Sequence, residues 1–135
     1  MKILRIAAIA ALMALALPLA AQEQTAEQQE KALYEMIQTQ IDNMEKALDL
    51  EDWQIFYVDS ILTHDYRAMQ AELIGLRNSK ISSQDRYYRV QDKWNEQIYN
   101  AIHGVLDEPQ WQKYLKSGAA REKKNRDKRA AKKGE

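Results

Sequence analysis

Seven apolar residues, Ile55, Val58, Leu62, Tyr66, Met69, Leu73 and Leu76, follow one another at intervals of three or four positions. That spacing lays all of them along one stripe of an α-helix, because a helical turn takes 3.6 residues. A strand repeats every two residues and cannot put them on one face. The heptad-like period calls for lengthwise packing against other helices. Two further stripes can supply them: Leu33, Ile37, Ile41, Met44 and Leu48 before it, and Tyr87, Trp94, Ile98, Ala101, Ile102 and Val105 after it. Helix breakers are scarce, with four Gly and two Pro in 135 residues, so little interrupts these segments. The expected fold is all-α: a bent helical hairpin of three long helices plus a short fourth. The long helices are expected over about 25–48, 49–77 and from Ser82 or Ser83 to about Val105, where Gly104 suits a left-handed C-cap.

The boundaries carry a repeated signature. Leu106-Asp107-Glu108-Pro109-Gln110-Trp111-Gln112 echoes Leu48-Asp49-Leu50-Glu51-Asp52-Trp53-Gln54. With Asp107 as N-cap, its carboxylate accepts from first-turn N–H groups and Gln110 at N3 reaches back, forming a capping box. Pro109 falls in the first turn, where its missing N–H costs nothing. Leu106 and Trp111 take the N′ and N4 positions of a hydrophobic staple. The first copy repeats the device with Leu48, Asp49, Asp52 and Trp53. A second register, Leu50-Glu51-Asp52-Trp53-Gln54, keeps the Gln at N3 but has Glu, a weaker cap, in front.

The two copies resemble the twice-occurring Leu-Thr-x-x-Gln motif of the Spy/CpxP-like periplasmic proteins. They depart from it by Asp for Thr at both caps and by Asp52 for Gln in the first copy. The resemblance implies a small cradle-like homodimer in the periplasm. It implies an ATP-independent chaperone or envelope-stress protein that captures unfolded or partly folded envelope proteins, with no cofactor and no catalysis. The alternative is a periplasmic sensor or regulatory partner of a membrane signalling protein, with a metal-responsive branch.

The N-terminus fits that compartment. Met1-Lys2-Ile3-Leu4-Arg5 is basic, residues 6–17 are unbroken apolar, and Pro18-Leu19-Ala20-Ala21 ends in small residues. This reads as a secretory signal peptide over residues 1–21, cleaved after Ala21. An uncleaved anchor is the second reading, although the run is short of the ~20 residues a span needs. With no Cys in the chain, a disulfide or a lipidated N-terminal Cys is excluded. Residues 22–118 form the expected helical domain, and 119–135 a basic tail.

Charge divides the same way. Residues 22–120 hold ten Lys and Arg against seventeen Asp and Glu, whereas 121–135 hold eight against three. The tail has no apolar stripe, so a frayed helix or a disordered end is expected. Its Arg121, Lys123, Lys124, Arg126, Lys128 and Arg129 are candidates for an anionic envelope surface. A solubilising end, or a tail that meets the acidic body of another chain, are its other readings.

Two more features bear on binding. Trp53, Phe56, Tyr57 and Ile61 form a second apolar group opposite the main stripe of the middle helix. Internal packing is the ordinary reading; a dimer or client surface is the functional one. Arg86, Arg89 and Lys93 gather on one face of the third helix among acids, either as a solvated surface or as a cationic strip that speeds encounter with a client. Phe56, Tyr57, Ile61, Arg86, Arg89 and Lys93 are thus the candidate client surface. His64 and His103 belong to no metal-ligand spacing, and no nucleophile or phosphate-loop motif is present. The aromatics fall mainly on core stripes, so nucleic acid is not the expected partner.

Overall fold

A computed structural model describes residues 25–133; the leader assigned to residues 1–21 lies outside them. Among the described residues the fold is all-α, without a strand. Helix α1 spans Ala26–Leu48, α2 Asp52–Asn78, α3 Gln84–His103 and α4 Glu108–Tyr114. A π-helical turn, Leu115–Ala119, kinks at Gly118 (φ 126°) and leads into α5, Ala120–Lys133.

The middle helix α2 packs on both α1 and α3. Its stripe buries Val58, Leu62, Tyr66 and Met69, against Ile37, Ile41, Met44 and Leu48 of α1 and Ile98 and Ile102 of α3. Leu50, Leu106 and Trp111 close one end of this core. Burial pushes the Tyr66 hydroxyl well above the ordinary tyrosine range. Polar ties cross the packed pairs outside the core. Arg67 pairs with Glu30 between α2 and α1, and Gln97 Nε2 donates to the buried Asp65 Oδ1 at 3.1 Å between α3 and α2.

Both long hairpin turns use the same device. Asp49 (φ 52°) and Lys80 (φ 57°) take left-handed backbone at the ends of α1 and α2. The next residue's N–H then reaches back five positions, Leu50 to Glu45 O (3.3 Å) and Ile81 to Leu76 O (3.1 Å). This is the Schellman closure, with an apolar residue following the left-handed one. It corrects the first helix boundary. Asp49 ends α1 and does not cap α2, which begins at Asp52 with Glu51 as N-cap. Leu48 is the last residue of α1, and Asp52 is the first of α2 rather than its N3. The second register is the one adopted, because it puts a Gln at N3, long enough to reach back to the N-cap N–H. Gly104 is right-handed (φ −68°), so the left-handed cap expected there is also corrected; Leu106 N–H instead bonds to Ile102 O at 3.2 Å.

The tail departs most from expectation. Residues 120–133 form a helix laid against α3 rather than a frayed end. Ala, Lys and Arg favour helix by propensity, and ion pairs replace the missing apolar stripe. Arg129 grips Asp92 with two bonds of 2.8 Å, Arg126 Nε donates to Glu96 Oε2 at 3.0 Å, and Lys123 pairs with Glu96. Arg126 is only 8% exposed, and its guanidinium lies 5.5 Å from the Tyr99 ring centroid. Three of the six cations assigned to an anionic surface are therefore committed within the chain.

Two predictions follow from these contacts. A left-handed residue other than Gly is strained by its Cβ, so Asp49→Gly should stabilise the fold by about 0.5 kcal/mol in urea unfolding. A Glu or Asp acting as helix cap would give no such gain. Burial pulls the Glu96 carboxyl up, but bonds from Lys123 and Arg126 outweigh it and hold the carboxyl below its ordinary value of 4.5. A depressed carboxyl stabilises the fold above its unfolded pKa, and that contribution is lost as pH falls through the folded value. Below about pH 4, amide exchange in residues 120–133 should therefore accelerate before exchange in α2 does. Uniform acceleration across the chain would contradict this docking.

Candidate functional site

The two helix starts meet. Gln54 and Gln110, 56 positions apart, are both buried and bond to each other twice: Gln54 Nε2 donates to Gln110 Oε1 (2.7 Å) and Gln110 Nε2 to Gln54 Oε1 (3.0 Å). Each Oε1 also accepts from its own N-cap N–H, that of Glu51 or Asp107, at 3.0 Å. The remaining amide hydrogens go to backbone carbonyls across the junction, Gln54 to Val105 O (3.1 Å) and Gln110 to Leu48 O (3.3 Å). An amide group has two donor hydrogens and two acceptor lone pairs. Both amides are thus fully used, with no capacity left for a ligand.

The second copy forms as its sequence indicates. Asp107 Oδ1 accepts from Gln110 N–H at 2.9 Å, and Leu106 and Trp111 are buried. Trp111 stacks on His103 (3.9 Å between centroids) and packs on Tyr99 and Tyr114. Burial lifts the Tyr114 hydroxyl to about 12. The first copy differs. With Glu51 as cap, the staple pair becomes Leu50 and Ile55, and Trp53 falls at N2, pointing outward. Its indole donates to the Glu51 carboxylate at 2.5 Å.

A groove of about 540 Å³ opens over this junction. Leu48, Leu106, Gln54 and Gln110 are the buried part of its lining; Asp49, Glu51 and Asp107 bring negative charge, and Lys113 a positive one. Trp53 forms part of its wall and continues into an aromatic cluster. Trp53 packs edge-on against Tyr57 (6.2 Å), and Tyr57 against Phe56 (5.6 Å). Trp53 and Tyr57 are each 52% exposed and Phe56 67%, so the second apolar group stays on the surface rather than packing inside. Ile61 alone of that group leans into the core.

The cationic strip is elsewhere. Lys93 pairs with Glu72, and Gln97 with Asp65, which sets α3 antiparallel to α2. On that register Arg86 and Arg89 fall near the far end of α2, roughly 25–30 Å from Phe56 by helical rise. Lys93 is held by Glu72, whose carboxyl its hydrogen bond pulls below the ordinary value against the opposing effect of burial, with Trp94 Nε1 assisting at 3.0 Å. Arg89 pairs with Asp85 at 2.9 Å. The six residues proposed as one client surface therefore form two separate regions.

His64 Nδ1 lies 2.8 Å from the buried Asp65 Oδ1, which would hold the ring with Nε2 outward. Among the described residues, no group of three or more His, Asp or Glu is arranged to hold a metal ion, and no helix is long and apolar enough to cross a membrane. The functional feature that sequence reasoning missed is the Gln54–Gln110 pair. Its signal was present, as a Gln at N3 of both starts once the second register is read.

Removing one amide leaves one donor hydrogen and one acceptor lone pair of the other buried and unpaired, which costs more than the bonds themselves return. Gln110→Ala should destabilise by about 2–3 kcal/mol in urea unfolding. Gln54→Ala should cost a similar amount, and the double variant less than the sum, by at least ~1 kcal/mol. Additive losses would mean that the two amides act only as separate helix caps.

Comparisons with protein-family models, with curated proteins and with solved structures find no match for this chain.

Proposed function

We propose that the chain is a periplasmic, ATP-independent binder of unfolded envelope proteins, of the Spy/CpxP-like kind that its two helix starts resemble. The observation that carries this reading is the exposed cluster Trp53, Phe56 and Tyr57 on the N-terminal half of α2. Three large aromatic side chains left in water are costly unless something covers them, and they grip apolar client side chains with little loss of rotamer freedom. The acidic groove beside them gives basic residues of a client a place to sit, with Glu51 and Asp107 nearest the junction. Binding of this kind shields a client without a chemical step. In a cradle-like homodimer, two such clusters would face one client.

The test is suppression of aggregation of an unfolding client, followed by light scattering. The wild-type chain should reduce scattering at a few-fold excess. Phe56→Ser with Tyr57→Ser should abolish most of that effect while unfolding at nearly the same urea concentration, since both side chains are exposed. Full suppression by the double variant, or none by the wild type, would overturn the reading.

A further inference from the structure

Docking of α5 sorts its cations into two rows. Lys123, Arg126 and Arg129 face α3 and are tied to Glu96 and Asp92. Arg121, Lys124, Lys128 and Lys132 follow at intervals of three, four and four, which places them on one line on the other side of the helix. All four are exposed, and none is held in an ion pair among the described residues. The nearest acid on that side, Asp127, is turned to Lys123 at 2.9 Å. Asn125 flanks the row on one side; on the other, Ala120 and Ala131 line a groove with Tyr99 and Leu115 that Lys124 and Lys128 border. The clamp fixes the roll of the helix, so a basic tail becomes a straight ridge of four positive charges roughly 17 Å long.

We infer that this ridge is a docking face for a bilayer rich in anionic phospholipid. A straight row on a convex helix matches a plane of headgroups rather than a groove that wraps a strand. No residue of the ridge is aromatic; Tyr99 lies beneath Lys123 and Arg126 and lines the groove that Lys124 and Lys128 border. Helix α5 carries no apolar stripe of its own, so the attachment is electrostatic, peripheral and screened by salt. The rest of the domain, residues 22–120, carries seven more acids than bases and is repelled by the same surface. Attachment therefore orients the molecule, with the ridge on the lipid and the bulk of the acidic body away from it. This inference does not depend on client binding, and either can fail alone.

The test is flotation of the full chain with vesicles of phosphatidylglycerol and phosphatidylcholine, compared with phosphatidylcholine alone. The ratio of the two removes any apolar contribution from residues 6–17, which would act on both. The wild type should prefer the anionic vesicles at least ~10-fold at low salt, and the preference should collapse by about 0.5 M salt. Arg121→Gln, Lys124→Gln, Lys128→Gln and Lys132→Gln together should reduce it to within about 2-fold. Replacement of the three Lys by Arg should retain it, which separates charge from misfolding. Equal binding of the wild type to both vesicles would overturn the proposal, as would a quadruple Gln variant that keeps the preference. Retention on a single-stranded oligonucleotide without vesicle preference would overturn it too, and would assign the ridge to nucleic acid.

Discussion

The reciprocal bond between Gln54 and Gln110 is the contact on which the arrangement of the other elements depends. Each amide completes the start of its own helix and simultaneously holds the start of the other. The two capping boxes are therefore not independent local devices. They hold the starts of α2 and α4 together at one end of the core, and carbonyls from the end of α1 and from the α3–α4 turn are drawn in as the remaining acceptors. Everything at this end, from the stack of Trp111 on His103 to the acidic groove, is positioned by that four-way closure. Buried amides of this sort add specificity because a shifted register would leave them unpaired in an apolar setting.

The helical stripes were legible because burial on a helix demands residues three and four apart, and Val58, Leu62, Tyr66 and Met69 obey that demand. Asp107 was legible because its cap partner, Gln110, lies within one turn. The first helix start was ambiguous for a physical reason. Asp49 and Glu51 can both cap, and local rules favour Asp. What selects Glu51 is that Gln54 then reaches both the Glu51 N–H and a partner 56 positions away, which no local rule contains. The exposed cluster was ambiguous in the same way. Apolar residues on a second face of α2 look alike in sequence whether or not another element covers them.

Docking of the tail shows the converse. Neither half of the contact is notable alone: Asp92, Glu96 and Tyr99 read as a mixed helix face, and Lys123, Arg126 and Arg129 as part of a basic run. Together they are complementary, with acids four apart and an aromatic three further on, against cations spaced by three. Individual surface ion pairs contribute little, but here one guanidinium is bidentate and another is packed on an aromatic ring, so both are ordered by more than charge. The same charge pattern leaves the molecule electrically lopsided. Negative groups crowd the helix-start end, and α5 runs antiparallel to α3, so Lys132 falls level with Arg89 at the opposite end.

The Gln54–Gln110 closure also bears on the order of events during folding. The helix hairpins bring together residues close in sequence and can form early. The amide pair bridges 56 positions, and its bonds can be made only when α1, α2 and α4 have already converged. Contacts completed late lie mostly beyond the folding barrier and slow unfolding more than they speed folding. In a chain without cysteine, two glutamine side chains thus take over part of the task of a disulfide bridge: they delay the opening of the native state.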